Sequence, residues 1–384
     1  MNMSIYSING IGLETAYEND GAEISTAYDI NKNIVFIKDA PDDPYLPGRL
    51  LLFEDSFRET TLNANNWKCE IGKTRGADRP GIFRSQNVLQ ENGQLHLIAK
   101  RESHLGYTWT MGSISSAHIR SWMYGRFEAK IKMPGVSGAF PAFWSIGGSG
   151  WNTPHNDDGT DDFERQFEGS NATLWPVCGE IDFVECMPGN DNRPPCNLWD
   201  MDGHSMGSGY PSQITLTDWH VYGMEWTPEY IAMFIDGVEH KRYTFSNYSD
   251  SLISAYKTEP QCIILTLDVG GPGGTISESL NEMNMYVDWV RVYAPVGVTE
   301  EIPDTAVYIP PTLSLQKGYF TWLVPRFTPN TASNQFTTWV SSNPNVAIVI
   351  NGRVCGINNG TTTITATTVN GNTASCTVTV VDSL

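Results

Sequence analysis

The sequence predicts an all-β protein, built as a sandwich or barrel of short strands with a second, smaller β-module behind it. Three observations carry this. Short apolar or alternating runs recur between clusters of Gly, Pro, Asn and Asp, and no long amphipathic helical pattern interrupts them. The composition suits strands and turns, with 35 Gly, 22 Pro, 11% aromatic and only 17% charged residues in a chain of 384. Beyond Tyr293 the pattern lapses into the Pro-rich, acidic APVGVTEEIPDTAVYIPPT and then resumes with many Thr and Val, as expected where a linker joins two modules.

Residues 1–49 are polar and punctuated by turns, with one strong strand candidate, NIVFI at 33–37, and form a lead-in segment. The main domain, 50–296, holds LLFEDSF, QLHLIAKRE, GRFEAKIKMP, AFPAFWSIG, EIDFVEC, WHVYGMEW, YIAMFIDGVEHKRYTF, QCIILTLDVGG and MYVDWVRVYAP, each read as strand. In RFEAKIKM the apolar residues Phe127, Ala129, Ile131 and Met133 alternate with Glu128, Lys130 and Lys132, the pattern of a strand with one buried face. Asp236-Gly237 predicts a tight hairpin turn. Residues 297–312 are the linker, and 313–384 a small β-sandwich ending in two alternating strands around Asn370-Gly371.

The formal net charge of −19 repels phosphate backbones and anionic lipid, so neither nucleic acid nor a membrane surface is an expected partner. A neutral polymer fits better, and a monomer is expected. No run approaches the 18 apolar residues of a membrane span, and MNMSIYSINGIG lacks the basic and apolar regions of a secretory signal. Seven cysteines show no CxxC pair and no metal-ligand spacing, so mostly unpaired thiols are expected, with Cys355–Cys376 or Cys186–Cys196 as disulfide candidates.

The stretch WPVCGEIDFVEC, 175–186, sets Glu180, Asp182 and Glu185 among apolar residues, where like charges raise one another's pKa. A calcium loop fits poorly because Ile181, Phe183 and Val184 are strand formers, and Pro176, Gly179 and Pro188 leave too little room for a helix. In a regular strand Glu180 and Asp182 share a face and Glu185 is one residue out of step. A β-bulge after Asp182 restores the phase and turns all three to one face. Carboxylates so placed suit glycosidic bond cleavage, one attacking, one protonating the leaving oxygen and one assisting.

Gly179 to Glu185 resembles the bulged E-x-D-x-x-E signature of glycoside hydrolase family 16, in its laminarinase-like form. The likeness continues, in order, through YGRFEAKIKMPG, PAFWSIGG, WHVYGMEWTP, ILTLDVGG and MYVDWVRVYAP, covering about residues 50–295. It implies a concanavalin-like β-jelly roll whose concave face holds the glycan, and an endo-acting, retaining hydrolase of a β-linked polysaccharide, β-1,3-glucan first; mixed-linkage glucan, β-galactan and O-glycan are the alternatives, and a non-catalytic glycan-binding adhesin is the rival of a different class. By the same resemblance Glu180 is the nucleophile, Asp182 the assisting carboxylate and Glu185 the acid/base, with no cofactor for catalysis. Trp144, Trp175, Asn87 and His118 are implied sugar contacts, and Asp288 with the backbone oxygen of Gly93 a structural calcium site.

The chain departs from the family pattern in four places. Ser116-Ala117-His118-Ile119 stands for S-A-R-I, Thr266 and Asp268 stand for N and A, Phe140 begins its block, and residues 148–173 form a long acidic insertion. The C-terminal stretch 339–371 resembles a bacterial Ig-like domain of group 2, a type that serves as spacer or adhesion module. The start is faintly similar to lead-in segments of phage tail proteins, and the expected location is extracellular, secreted or virion-associated.

Overall fold

The computed structural model describes residues 7–8, 11–12, 26–28, 34–37, 45–73, 79–147, 175–187 and 192–382. The expected insertion at 148–173 lies outside them. Two compact units are present, Met1–Gly48 and Arg49–Leu384. In the first, Ser7–Ile8 pairs with Ile11–Gly12 and Thr26–Tyr28 with Ile34–Ile37, the latter being the strand expected from NIVFI.

The second unit opens with two stacked sheets. The larger has the described strands Val238–Thr244, Tyr230–Ile235, His220–Trp226, Gly125–Lys132, Glu282–Tyr293, Gln94–Lys100, Trp109–Met111, Gly81–Phe83 and Gly72–Lys73 in that order, with Leu51–Asp55 and Val88–Glu91 pairing alongside. The smaller runs Asn197–Trp199, Glu180–Glu185, Ala139–Gly147, Gln261–Val269, Ser113–Ser115 and Lys68–Cys69. Period-2 alternation decides which side chains fill the space between them. Phe127, Ala129 and Ile131 meet Phe143, Ile181, Phe183, Leu265 and Leu267 in one core, all at 0% exposure, and Phe143 and Phe183 meet edge to face with ring centroids 4.5 Å apart. Burying such side chains contributes about 1.5–3 kcal/mol each.

Every strand run expected in the main domain is a strand. Glu128 is buried all the same, its charge met by Arg126 at 2.8 Å. Asp236 and Gly237 take φ of 50° and 75°, the left-handed pair that closes a two-residue hairpin. The strands that no sequence pattern marks are two to four residues long, among them Lys68–Cys69, Asn197–Trp199 and Val88–Glu91, too short to show a period.

The C-terminal module has a sheet of Thr312–Gln316, Thr373–Val381, Gly360–Thr368 and Thr337–Ser341 facing one of Phe320–Trp322, Arg353–Gly356 and Ala347–Ile350, around a core that includes Leu315, Val354, Ile364 and Val378. The segment expected as linker is structured at its end: Ala306–Tyr308 pairs with Arg326–Thr328. Asp304 fixes it by accepting hydrogen bonds from Thr368 and Asn372, both at 2.7 Å. All seven cysteines are free, contrary to both candidate pairings. Burial pushes the Cys178, Cys186 and Cys262 thiols up to about 12, so they stay protonated as small apolar groups.

Candidate active site

The six-residue strand Glu180–Glu185 carries the site, and its pairing contains the bulge. Val184 pairs with Phe143 and Asp182 with Trp144, so Phe183 is the extra residue. Phe183 and Val184, successive in the chain, both have 0% exposure and belong to the core between the sheets. Their shared inward turn sends Glu185 back to the outer face with Glu180 and Asp182. The two apolar side chains therefore set the phase of the carboxylates.

The outer face is polar where the strands cross it. Trp144 lies opposite Asp182, and its indole N–H donates to the Thr266 hydroxyl at 3.2 Å. That hydroxyl is 2.9 Å from the Ser113 hydroxyl, which donates to Glu70 at 3.1 Å. Thr266, a departure from the family pattern, thus links the tryptophan to the far edge of the sheet.

Asp182 has 2% exposure and accepts a hydrogen bond from the Trp199 indole at 3.0 Å. Burial, then the charges of Glu185 and Glu180, hold its carboxyl well above the usual carboxylate range, while the Trp199 bond works the other way. A protonated Asp182 donates to Glu180, which fixes the orientation of the Glu180 carboxylate. Glu185 is pushed up to about 7 by burial and by the Glu180 charge, with Arg79 pulling it down. These are the states that bond cleavage needs: a proton on Glu185 near neutrality, and an acceptor beside it.

Backbone support comes from Tyr256. Its hydroxyl accepts the Glu180 N–H at 3.1 Å and donates toward the Glu180 carbonyl at 2.8 Å and the carbonyl of Trp199. Complete burial pushes the phenol up, so it remains a donor. At the other end of the site Arg79 pairs with Asp268, and its guanidinium lies 5.0 Å from the Phe140 ring centroid. Asp268 has 2% exposure, which explains why the two departures, Asp268 and Phe140, go together: each holds one side of the same arginine.

The other expected contacts divide. Trp144 is beside the carboxylates with 7% exposure, and Trp175 is 47% exposed, its ring 5.9 Å from Trp199. Asn87 has 1% exposure, and its amide donates to the Ile98 carbonyl at 3.1 Å and the Thr110 hydroxyl at 3.0 Å, bonds that brace a turn. His118 stacks on Trp322 of the C-terminal module with centroids 4.5 Å apart. Asp288 bonds to the Lys130 ammonium at 3.2 Å, so a cation already serves it, and no group of three or more His, Cys, Asp or Glu suited to a metal occurs among the described residues.

Trp199, Tyr256 and Arg79 were not legible as site residues. Each reaches the carboxylates from a distant segment, and only the fold supplies the proximity.

The family model for glycosyl hydrolases family 16 matches residues 78–291, and that for the bacterial Ig-like domain (group 2) matches 305–378. Relatives include the clotting factor G alpha subunit of Tachypleus tridentatus, 26% identical over 67% of this chain, and glucan endo-1,3-beta-glucosidase A1 of Niallia circulans, 26% identical over 66%. The chain spans 36% and 39% of their respective lengths. Among solved structures, the laminarinase from Rhodothermus marinus superposes with a TM-score of 0.54 and 28% identity, covering 65% of this chain and 99% of that one. With a matched segment that spans more than half of its length and includes the bulged carboxylate strand, the chain belongs to glycosyl hydrolases family 16.

Proposed function

We propose that the chain is an endo-acting, retaining hydrolase of a β-linked polysaccharide, with β-1,3-glucan its first substrate. The observation that carries the reading is the bulge at Phe183, which sets Glu180, Asp182 and Glu185 on one face with Glu185 held near pH 7. The likeness to a glucan endo-1,3-beta-glucosidase of Niallia circulans and to a laminarinase of Rhodothermus marinus supports the choice of glucan.

In the first half of the reaction a Glu180 oxygen attacks the anomeric carbon while Glu185 gives its proton to the glycosidic oxygen, and the C–O bond to the leaving sugar breaks. Retaining geometry places two such carboxyls about 5–5.5 Å apart. Esterification removes the Glu180 charge that raised Glu185, so Glu185 stays ionised more readily for the second half. It then takes a proton from water as that water attacks the same carbon and frees Glu180. Asp182 orients Glu180 throughout, and exposed Trp175 offers an aromatic face for a sugar ring.

No helix among the described residues is long and apolar enough to cross a membrane. A polymer of this kind is met outside the cell, and an extracellular enzyme, secreted or virion-borne, is the reading that goes with it. The test is a polysaccharide panel of laminarin, mixed-linkage glucan, agar-type galactan and mucin O-glycan with product sizing. Mid-length products from laminarin support the proposal; no turnover on any polymer favours the adhesin, and monosaccharide alone contradicts endo action.

A further inference from the structure

The C-terminal module is seated against the main domain by aromatic and polar contacts. Trp322 stacks on His118 with an interplanar angle of 17°, and the Lys68 ammonium is 4.8 Å from the Trp322 ring centroid. Arg120 is clasped between rings of the two modules, 5.7 Å from Phe53 and 5.0 Å from Phe336. Ser121 donates to Gln335 at 3.2 Å, and Asn351 to the carbonyl of Ala64 at 3.0 Å. A cavity of about 270 Å³ lies at the same junction, lined by His118 and Arg120 on one side and by Arg326 and Phe327 on the other.

The contact sits at one edge of the sheet that bears the carboxylates. Pairing runs in a row from Asp182 to Trp144, Ile264, Ser115 and Lys68, all on one face, and Trp322 covers its end. At about 4.8 Å per strand this end is roughly 19 Å from the catalytic strand. Two contact routes lead back. Ala117, next to His118, packs in a cluster with Trp144, Ile146 and Ile264. Glu70, next to the Lys68–Cys69 strand, ends the hydrogen-bond chain through Ser113 and Thr266 to the Trp144 indole. His118 itself sits at φ 65°, a left-handed conformation that an unsupported histidine seldom keeps.

We propose that the Ig-like module is a built-in support of the carboxylate-bearing sheet, with Trp322 a positioning residue that holds the His118 turn and the Lys68 edge strand and through them the pose of Trp144. The module then acts on glycan binding without touching the reacting atoms. Its docking stands on the contacts alone; its effect on kinetics rests on the proposed hydrolase activity.

The test uses the full chain with Trp322→Ala, His118→Ala, the double variant and Trp322→Phe, and Val369→Thr, 60% exposed on the module, as control. Calorimetry reads the docking. The wild type and the control unfold with the two modules coupled, Trp322→Ala separates their transitions, and the double variant does no further harm because both singles remove one contact. Kinetics read the positioning: KM for long polymer rises about 3–10-fold in Trp322→Ala with kcat within about 2-fold, and Trp322→Phe restores most of it. Strictly additive singles with unchanged KM overturn the proposal. A wild type inert on every glycan leaves the docking measurable by calorimetry, so failure of the hydrolase reading is distinguished from failure of the support.

Discussion

Trp199 gives its indole N–H to Asp182 across 3.0 Å, although neither residue reveals the other in the sequence. The bond is the one donor that opposes the upward push on a carboxyl with 2% exposure. Trp199→Phe keeps the ring and removes the donor, so Asp182 holds its proton more tightly and its orientation toward Glu180 loosens. The expected result is a fall in kcat of about 10-fold with KM changed less, since an oriented charge-bearing bond contributes about 1.5–3 kcal/mol. Steady-state kinetics on the best polymer of the panel check it.

Arg79 is expected to shift the alkaline side of the proposed hydrolase's pH profile. It lowers a Glu185 pKa that burial and Glu180 have raised to about 7. Arg79→Met removes that positive charge, so the pKa climbs and the alkaline limb of kcat/KM moves to higher pH. Arg79→Lys keeps the charge and holds the limb near its original place. An unchanged limb in Arg79→Met contradicts the assignment.

Stability carries the same signature with a definite sign. Glu185 binds its proton more tightly in the folded chain than at the ordinary value of 4.5. The native state therefore loses stability as pH rises from about 4.5 through about 7, and no more above that. Glu185→Gln abolishes this loss. Its Tm should exceed that of the wild type at pH 8, and the gap should close toward pH 4, as a melting series across that range will show.

Phe183 separates fold from phase. Phe183→Ala empties a fully buried site at an expected cost of about 3–5 kcal/mol, yet it keeps the bulge and most of kcat. Deleting Phe183 removes the extra residue and restores strict alternation, with Val184 inward and Glu185 still on the face of Glu180 and Asp182, so turnover persists in the fraction that melts cooperatively. Equal loss of activity in both variants contradicts the bulge account.

The sequence shows the carboxylate strand so clearly because its defect is visible as a phase error: two acids in step, one out of step, and apolar residues at both positions between. The long strands are legible for the related reason that alternation over six or more residues is hard to mistake. Asn197–Trp199 and Lys68–Cys69 give no period, yet one delivers Trp199 and the other carries the Lys68 that meets Trp322. His118 shows the limit from another side. Its place in a family block implies a sugar contact, whereas its ring is spent on a neighbouring module, and no local pattern records which surface a turn will face. Asp268 looks like an isolated departure until Arg79 is seen beside it.

On the proposed mechanism Glu180 and Glu185 act as a retaining pair. Proton NMR of the first-formed reducing ends, taken within the first minutes of digestion of the polymer the panel selects, tests it most directly. Retention predicts that the β-anomer appears first and the α-anomer grows only by mutarotation. An initial α-anomer would contradict the account, because it requires water, and not Glu180, to make the first attack.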